Sequence, residues 1–93
     1  MEATGEEERM PVLSRFYGIV IRMYFQQAEH NPPHIHAVYG EDVAALDIRT
    51  GGVLEGKLPP KALALVSEWL ALHREELMAI WKTQTFAAVE PLE

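Results

Sequence analysis

Three of the chain's four histidines stand in one stretch, EHNPPHIHAVYG, from Glu29 to Gly40, around a pair of prolines. His34 and His36 are separated by a single residue, so on a β-strand both rings project from the same side, with backbones about 7 Å apart. Two imidazoles so placed can share one metal ion, and a third ligand from His30, Glu29 or a neighbouring element completes the set that leaves a catalytic position open on zinc. Metal ligation by His30, His34 and His36 is therefore one expectation, with a divalent ion such as zinc as the cofactor. The same rings suit acid–base catalysis without metal, because imidazole titrates near neutral pH and paired imidazoles held at different pKa values divide the acid and base roles. In that reading His34 and His36 carry the proton transfers, His73 is a further imidazole available to them, and Arg22 steadies a transition-state phosphate. Each group also has a plain structural use. Histidines beside proline form turns, His73 sits satisfied in a core helix, and Arg22 covers the sheet with its aliphatic stem.

These side chains need elements to position them. Phe16 to Phe25, FYGIVIRMYF, is rich in aromatic and β-branched residues, with Tyr17, Ile19, Ile21, Met23 and Phe25 on one side at a period of two. It predicts the first strand, with Arg22 on its mixed face. QQAEHNPP then breaks the pattern, because neither proline donates to a sheet ladder and Asn31 before Pro32 is pushed out of helical geometry. His34 to Tyr39 resumes alternation as a short strand, with His34, His36 and Val38 on one side and Ile35, Ala37 and Tyr39 on the other. DVAALDIR predicts a third strand, and the TGG turn leads to a fourth in VLEGKL. Pro59 and Pro60 suit the first turn of a helix. From Lys61 to Lys82 one long helix is expected, with Ala62, Leu63, Val66, Trp69, Leu70, Leu77, Ile80 and Trp81 on its apolar face and His73 near the middle of it. Trp69 and Trp81 read as core residues, and TQTFAAVEPLE carries no clear pattern. The expected fold is α+β: a small antiparallel four-stranded meander followed by one long C-terminal helix packed on one sheet face. Which face the helix covers decides whether His73 meets the strand histidines, and both arrangements stay open.

Composition narrows the function classes. The 93 residues are 48% hydrophobic and 24% charged, the balance of an ordinary globular protein of one domain. Cysteine is absent, which removes disulfides, thiolate nucleophiles and thiolate-bound zinc together. No apolar run is long enough to span a bilayer and no leader pattern opens the chain, so a cytoplasmic location without a membrane partner is expected. The net charge of −6 disfavours RNA as a general partner. Half of that excess lies in residues 1–9, MEATGEEER, which read as a solvated, disordered acidic tail ahead of a single domain over residues 10–93. MPVLSRF, immediately after it, resembles a second translation start.

MPVLSRFYGIVIRMYF, HNPPHIHAVYG and GGVLEGKLPPKALALVSEWLALHREEL together resemble a small bacterial family known as domain of unknown function family 4160. The likeness runs over nearly all of Met10 to Trp81. The family pattern falls on Arg15, Tyr17, Gly18, His30, Asn31, Pro32, Pro33, His34, His36, Tyr39, Gly56, Leu58, Pro59, Trp69 and His73. QQAEHNPP is longer and less acidic before His30 than the usual pattern, so the resemblance supplies no carboxylate ligand from that loop. It implies a cytoplasmic bacterial protein, often encoded beside a small partner in an arrangement like a toxin–antitoxin pair, and it implies no activity. The leading expectation is accordingly one half of a two-gene toxin–antitoxin-like or regulatory module: a mixed sheet face binds the partner protein, and the histidine cluster forms the site. A small hydrolase or ribonuclease using His30, His34 and His36, with or without metal, is the enzyme alternative. A pure interaction domain, in which those histidines only lock a turn, is the third, and a homo-oligomer is compatible with each.

Overall fold

The computed structural model describes residues 11–24 and 32–93. The tail expected over residues 1–9, the end of the expected first strand at Phe25, and His30 lie outside the described residues. Five strands follow in chain order: β1 Val12–Phe16, β2 Ile19–Arg22, β3 His34–Tyr39, β4 Asp42–Asp47 and β5 Val53–Gly56. Two helices follow among the described residues, α1 Pro60–Leu72 and α2 Arg74–Thr83. Every strand pairs antiparallel with the next, so the spatial order is simply β1-β2-β3-β4-β5. The α+β meander of the sequence reading is present, and the described residues form five strands and two helices where four strands and one long helix were expected.

The additional strand comes from a hairpin inside the run expected to be one strand. Tyr17 and Gly18 form a two-residue turn with φ of 52° and 81°. Two consecutive positive φ values are the mark of a type I′ turn, whose twist matches that of the strands it joins. Glycine tolerates this backbone; tyrosine rarely adopts it, which is why the turn is invisible in the composition. Reversal of the chain also resets the side-chain parity. Phe16 and Ile19 are paired across the turn and both are buried, whereas Tyr17, expected among the core residues, is 58% exposed.

Alternation then decides the two faces. Ile19, Ile21, Met23, Ile35, Ala37, Leu46 and Ile48 are fully buried. Trp69, Val66 and Leu70 from α1 and Leu77 from α2 complete this core, each large apolar side chain contributing roughly 1.5–3 kcal/mol by leaving water. Trp69 packs against Phe16 at 5.5 Å between ring centroids, and its indole N–H donates to the Glu90 carbonyl at 2.8 Å. That bond satisfies a polar group that burial would otherwise leave costly. The Val89 amide donates to Leu13 at 2.9 Å, so the C-terminal segment closes against β1 although it forms no regular element.

The single long helix expected from Lys61 to Lys82 is interrupted at His73, where φ and ψ are −118° and 21°. Its amide donates to both Trp69 and Leu70 carbonyls, and Leu77 still bonds back to the His73 carbonyl. The interruption spares the apolar stripe, since Leu70 and Leu77 lie seven residues apart and both remain buried. Glu75 and Glu76 in the first turn of α2 complement its dipole and favour a restart at Arg74.

At the other end of the sheet, Gly56 has a φ of 78°, and a Cβ there would collide with the Val43 carbonyl oxygen. Gly56→Ala is expected to lower unfolding stability by about 1–3 kcal/mol from backbone strain and more from the clash. Urea denaturation monitored by Trp fluorescence measures this; an unchanged midpoint would count against the close approach.

Candidate functional site

β3 inserts Ile35 and Ala37 into the core, so His34 and His36 are turned to the opposite face of the sheet. The two rings lie 5.2 Å apart in an edge-on arrangement. Across the strands, His36 is in register with Arg22 on β2 and with Ala45 on β4, and Ala45 is in register with Glu55 on β5. His34 is in register with Asp47. A small side chain at Ala45 therefore leaves a hollow between His36 and Glu55. The resulting cleft of ≈ 290 Å³ is lined by Tyr24, Pro32, His34, His36, Ala45, Leu54 and Glu55.

The two imidazoles are held differently. His34 is only 8% exposed; its Nδ1 lies 2.8 Å from the Pro32 carbonyl oxygen and its ring 5.2 Å from that of Trp81. A carbonyl only accepts, so Nδ1 carries the proton and neutral His34 keeps its lone pair on Nε2. This backbone restraint is the kind that orients histidines serving as bases or metal ligands. His36 meets the Tyr24 ring edge-on at 4.8 Å, and its Nδ1 is buried without a hydrogen-bond partner among the described residues. Burial first and the neighbouring His34 second push the His36 pKa below the usual imidazole range, against an upward pull from Glu55. With Nδ1 enclosed, the neutral His36 ring places its N–H on Nε2. The pair then offers an acceptor from His34 and a donor from His36 while both rings are uncharged.

Asp47 supports the floor of this region by a different route. Burial raises the tendency of its carboxyl to hold a proton, but the Arg49 amide at 2.7 Å, the Arg49 guanidinium and the Thr50 amide outweigh it, and the pKa is lowered overall. Its carboxylate thus builds the turn into the TGG segment.

The expected residues are brought together only in part. His34 and His36 share the cleft, and Arg22 stands beside His36 in the sheet. His73 lies elsewhere, with its Nδ1 3.0 Å from Glu76 and its ring 5.3 Å from Trp69, in a separate hollow at the α1–α2 junction. It does not join the strand pair, since it sits at the α1–α2 junction, while α2 meets His34 through Trp81 further along the helix. Among the described residues no group of three or more His, Asp or Glu is placed to hold a metal ion. The cleft acquires Tyr24, Ala45, Leu54, Glu55 and a Trp81 contact that sequence reasoning passed over. The period-two pattern of β5 could have flagged Glu55 as a surface residue, but only the register sets it opposite His36. A larger groove of ≈ 530 Å³, between the Tyr17–Gly18 turn and the start of α1, is lined by Tyr17, Tyr39, Lys61, Leu65, Glu68 and Leu92 among others and contains no imidazole.

The pH dependence follows from the lowered His36 pKa. An unfolded chain binds its proton at higher pH than the native one, so the stability contributed by neutral His36 is complete above about pH 6.5 and is lost as pH falls through the native pKa. The His36 ring signals are expected to titrate below those of an exposed histidine in NMR, and Glu55→Gln should move them lower still. A His36 midpoint at or above 6.5 would contradict the enclosed Nδ1.

No helix among the described residues is long and apolar enough to cross a membrane. No curated protein and no solved structure matches the chain. The family model described as domain of unknown function (DUF4160) matches residues 18–82, which include the whole cleft and both helices up to Lys82 but leave out Arg15 and Tyr17. The chain belongs to the DUF4160 family.

Proposed function

We propose that this protein is one half of a two-gene, toxin–antitoxin-like or regulatory module in the bacterial cytoplasm, and that the sheet face away from the helices binds its protein partner. The observation that carries this reading is the state of β5. All four of its residues are exposed, Val53 and Leu54 by 42% and 46%. Apolar side chains this open, next to a polar cleft, are the composition of a docking patch with a specificity pocket. The histidine pair serves as that pocket. A second copy of the chain is the other protein able to use the same edge.

The complementary imidazoles support a second reading, a small hydrolase or ribonuclease. One ring of the His34/His36 pair would act as the base and the other, while it carries a second proton, as the acid, with Arg22 near the developing charge. A divalent metal such as zinc belongs to this reading through His30, His34 and His36, and His34 Nε2 is the ligating atom its Pro32 bond prepares.

Co-expression with the product of the adjacent gene, followed by size-exclusion chromatography, tests the first reading. A co-eluting complex is expected, and Leu54→Asp should abolish it while leaving the circular dichroism spectrum unchanged. Absence of a complex would remove the partner reading. The second reading requires instead that His34→Ala and His36→Ala abolish activity or toxicity with melting temperatures within about a degree or two of wild type; a large loss of stability would mark the histidines as structural.

A further inference from the structure

The two edges of the sheet are treated differently. Beside β1, the Val89 amide bonds to Leu13 and the C-terminal segment occupies the edge. Beside β5, no strand among the described residues pairs with the outer side, and the whole strand is exposed. An edge of this kind is a template for strand addition, in which main-chain bonds supply affinity and pockets for alternate side chains supply specificity.

The cleft lies within reach of a strand added there. Leu54 and Glu55 belong both to the open edge strand and to the cleft lining. An added strand runs about 4.8 Å outside β5, so every second side chain stands beside Glu55 on the cleft face. A lysine or arginine, with a stem of roughly 6–7 Å, passes over β5 to the hollow above Ala45.

The chemistry of the hollow selects the sign of that side chain. Glu55 presents a carboxylate, His34 presents the Nε2 lone pair left by its Pro32 bond, and burial keeps His36 uncharged. An anionic side chain entering from β5 would meet the Glu55 carboxylate first, since Arg22 stands on β2, on the far side of His36. The chain as a whole carries −6, which steers a basic segment toward it. Val53, in register with the core-side Leu46, rewards apolar residues at the intervening positions.

Resting on the partner reading above, we infer that the partner presents an extended segment of alternating apolar and basic residues, which adds to β5 and places a lysine or arginine in the cleft against Glu55. The probe is an acetylated seven-residue peptide alternating valine and lysine, titrated into the full chain and followed by ¹H–¹⁵N NMR, with a valine–glutamate peptide as control. Expected are shifts confined to the Val53–Gly56 amides and the His34 and His36 rings, at least five-fold weaker binding by Glu55→Gln, and no binding of the glutamate peptide. Equal binding of both peptides, shifts away from β5, or no shift at millimolar peptide would overturn the inference. The adjacent-gene product separates the two levels. A complex lost in Leu54→Asp but unchanged in Glu55→Lys keeps the docking surface and overturns the basic side chain, whereas no complex at all overturns the reading beneath it.

Discussion

The arrangement of the site depends on the burial of two apolar residues that never touch a ligand. Ile35 and Ala37 are completely enclosed between the sheet and its helices, and the two-residue period of a strand then obliges His34 and His36 to face the other way. A slip of one position would turn both imidazoles into the core at a cost of desolvating them and of exposing Ile35. The apolar core thus fixes the register of the polar site. Pro32 and Pro33 strengthen the constraint, the first through its carbonyl on His34 and the second through its carbonyl on the Ile48 amide.

Around this strand the fold is asymmetric in two directions. The helices and the C-terminal segment seal one face and one edge, with Trp69 as the joint between them: its ring packs on Phe16 and its indole proton reaches Glu90. The other face and the β5 edge stay open. Natural sheets blunt such edges by shortness, twist or charge, and β5 has four residues, a glycine at positive φ and a glutamate. Those features limit promiscuous pairing.

Electrostatics in the cleft follow from the same geometry. Enclosure favours neutral imidazole, and Glu55, two strands away over a residue with only a methyl group, opposes it. Neutral rings with opposite hydrogen-bond polarity can read a donor and an acceptor on one ligand, and when one of them takes up a second proton the pair can pass it on. Binding and acid–base chemistry draw on one arrangement of atoms, which is why the family's name and the cleft together leave both as proposals of different weight.

Local pattern was enough to determine the α+β class, β3 and its parity, the burial of Ile19, Ile21 and Met23, the TGG turn, and the apolar stripe from Ala62 to Trp81. Each of these rests on periodicity within a few residues, and the apolar effect enforces periodicity wherever one side of an element is buried. The Tyr17–Gly18 hairpin escaped because tyrosine seldom takes positive φ and the surrounding run alternates without a break in composition. The interruption at His73 escaped because it leaves the seven-residue spacing of Leu70 and Leu77 intact. What only the tertiary structure decided is the company the histidines keep: Glu55 and Leu54 come from β5, Trp81 from α2, Tyr24 from just after β2, while His73 sits at the α1–α2 junction. Those neighbours are set by strand register and by which face the helices cover, and both are properties of long-range packing that no window of sequence contains.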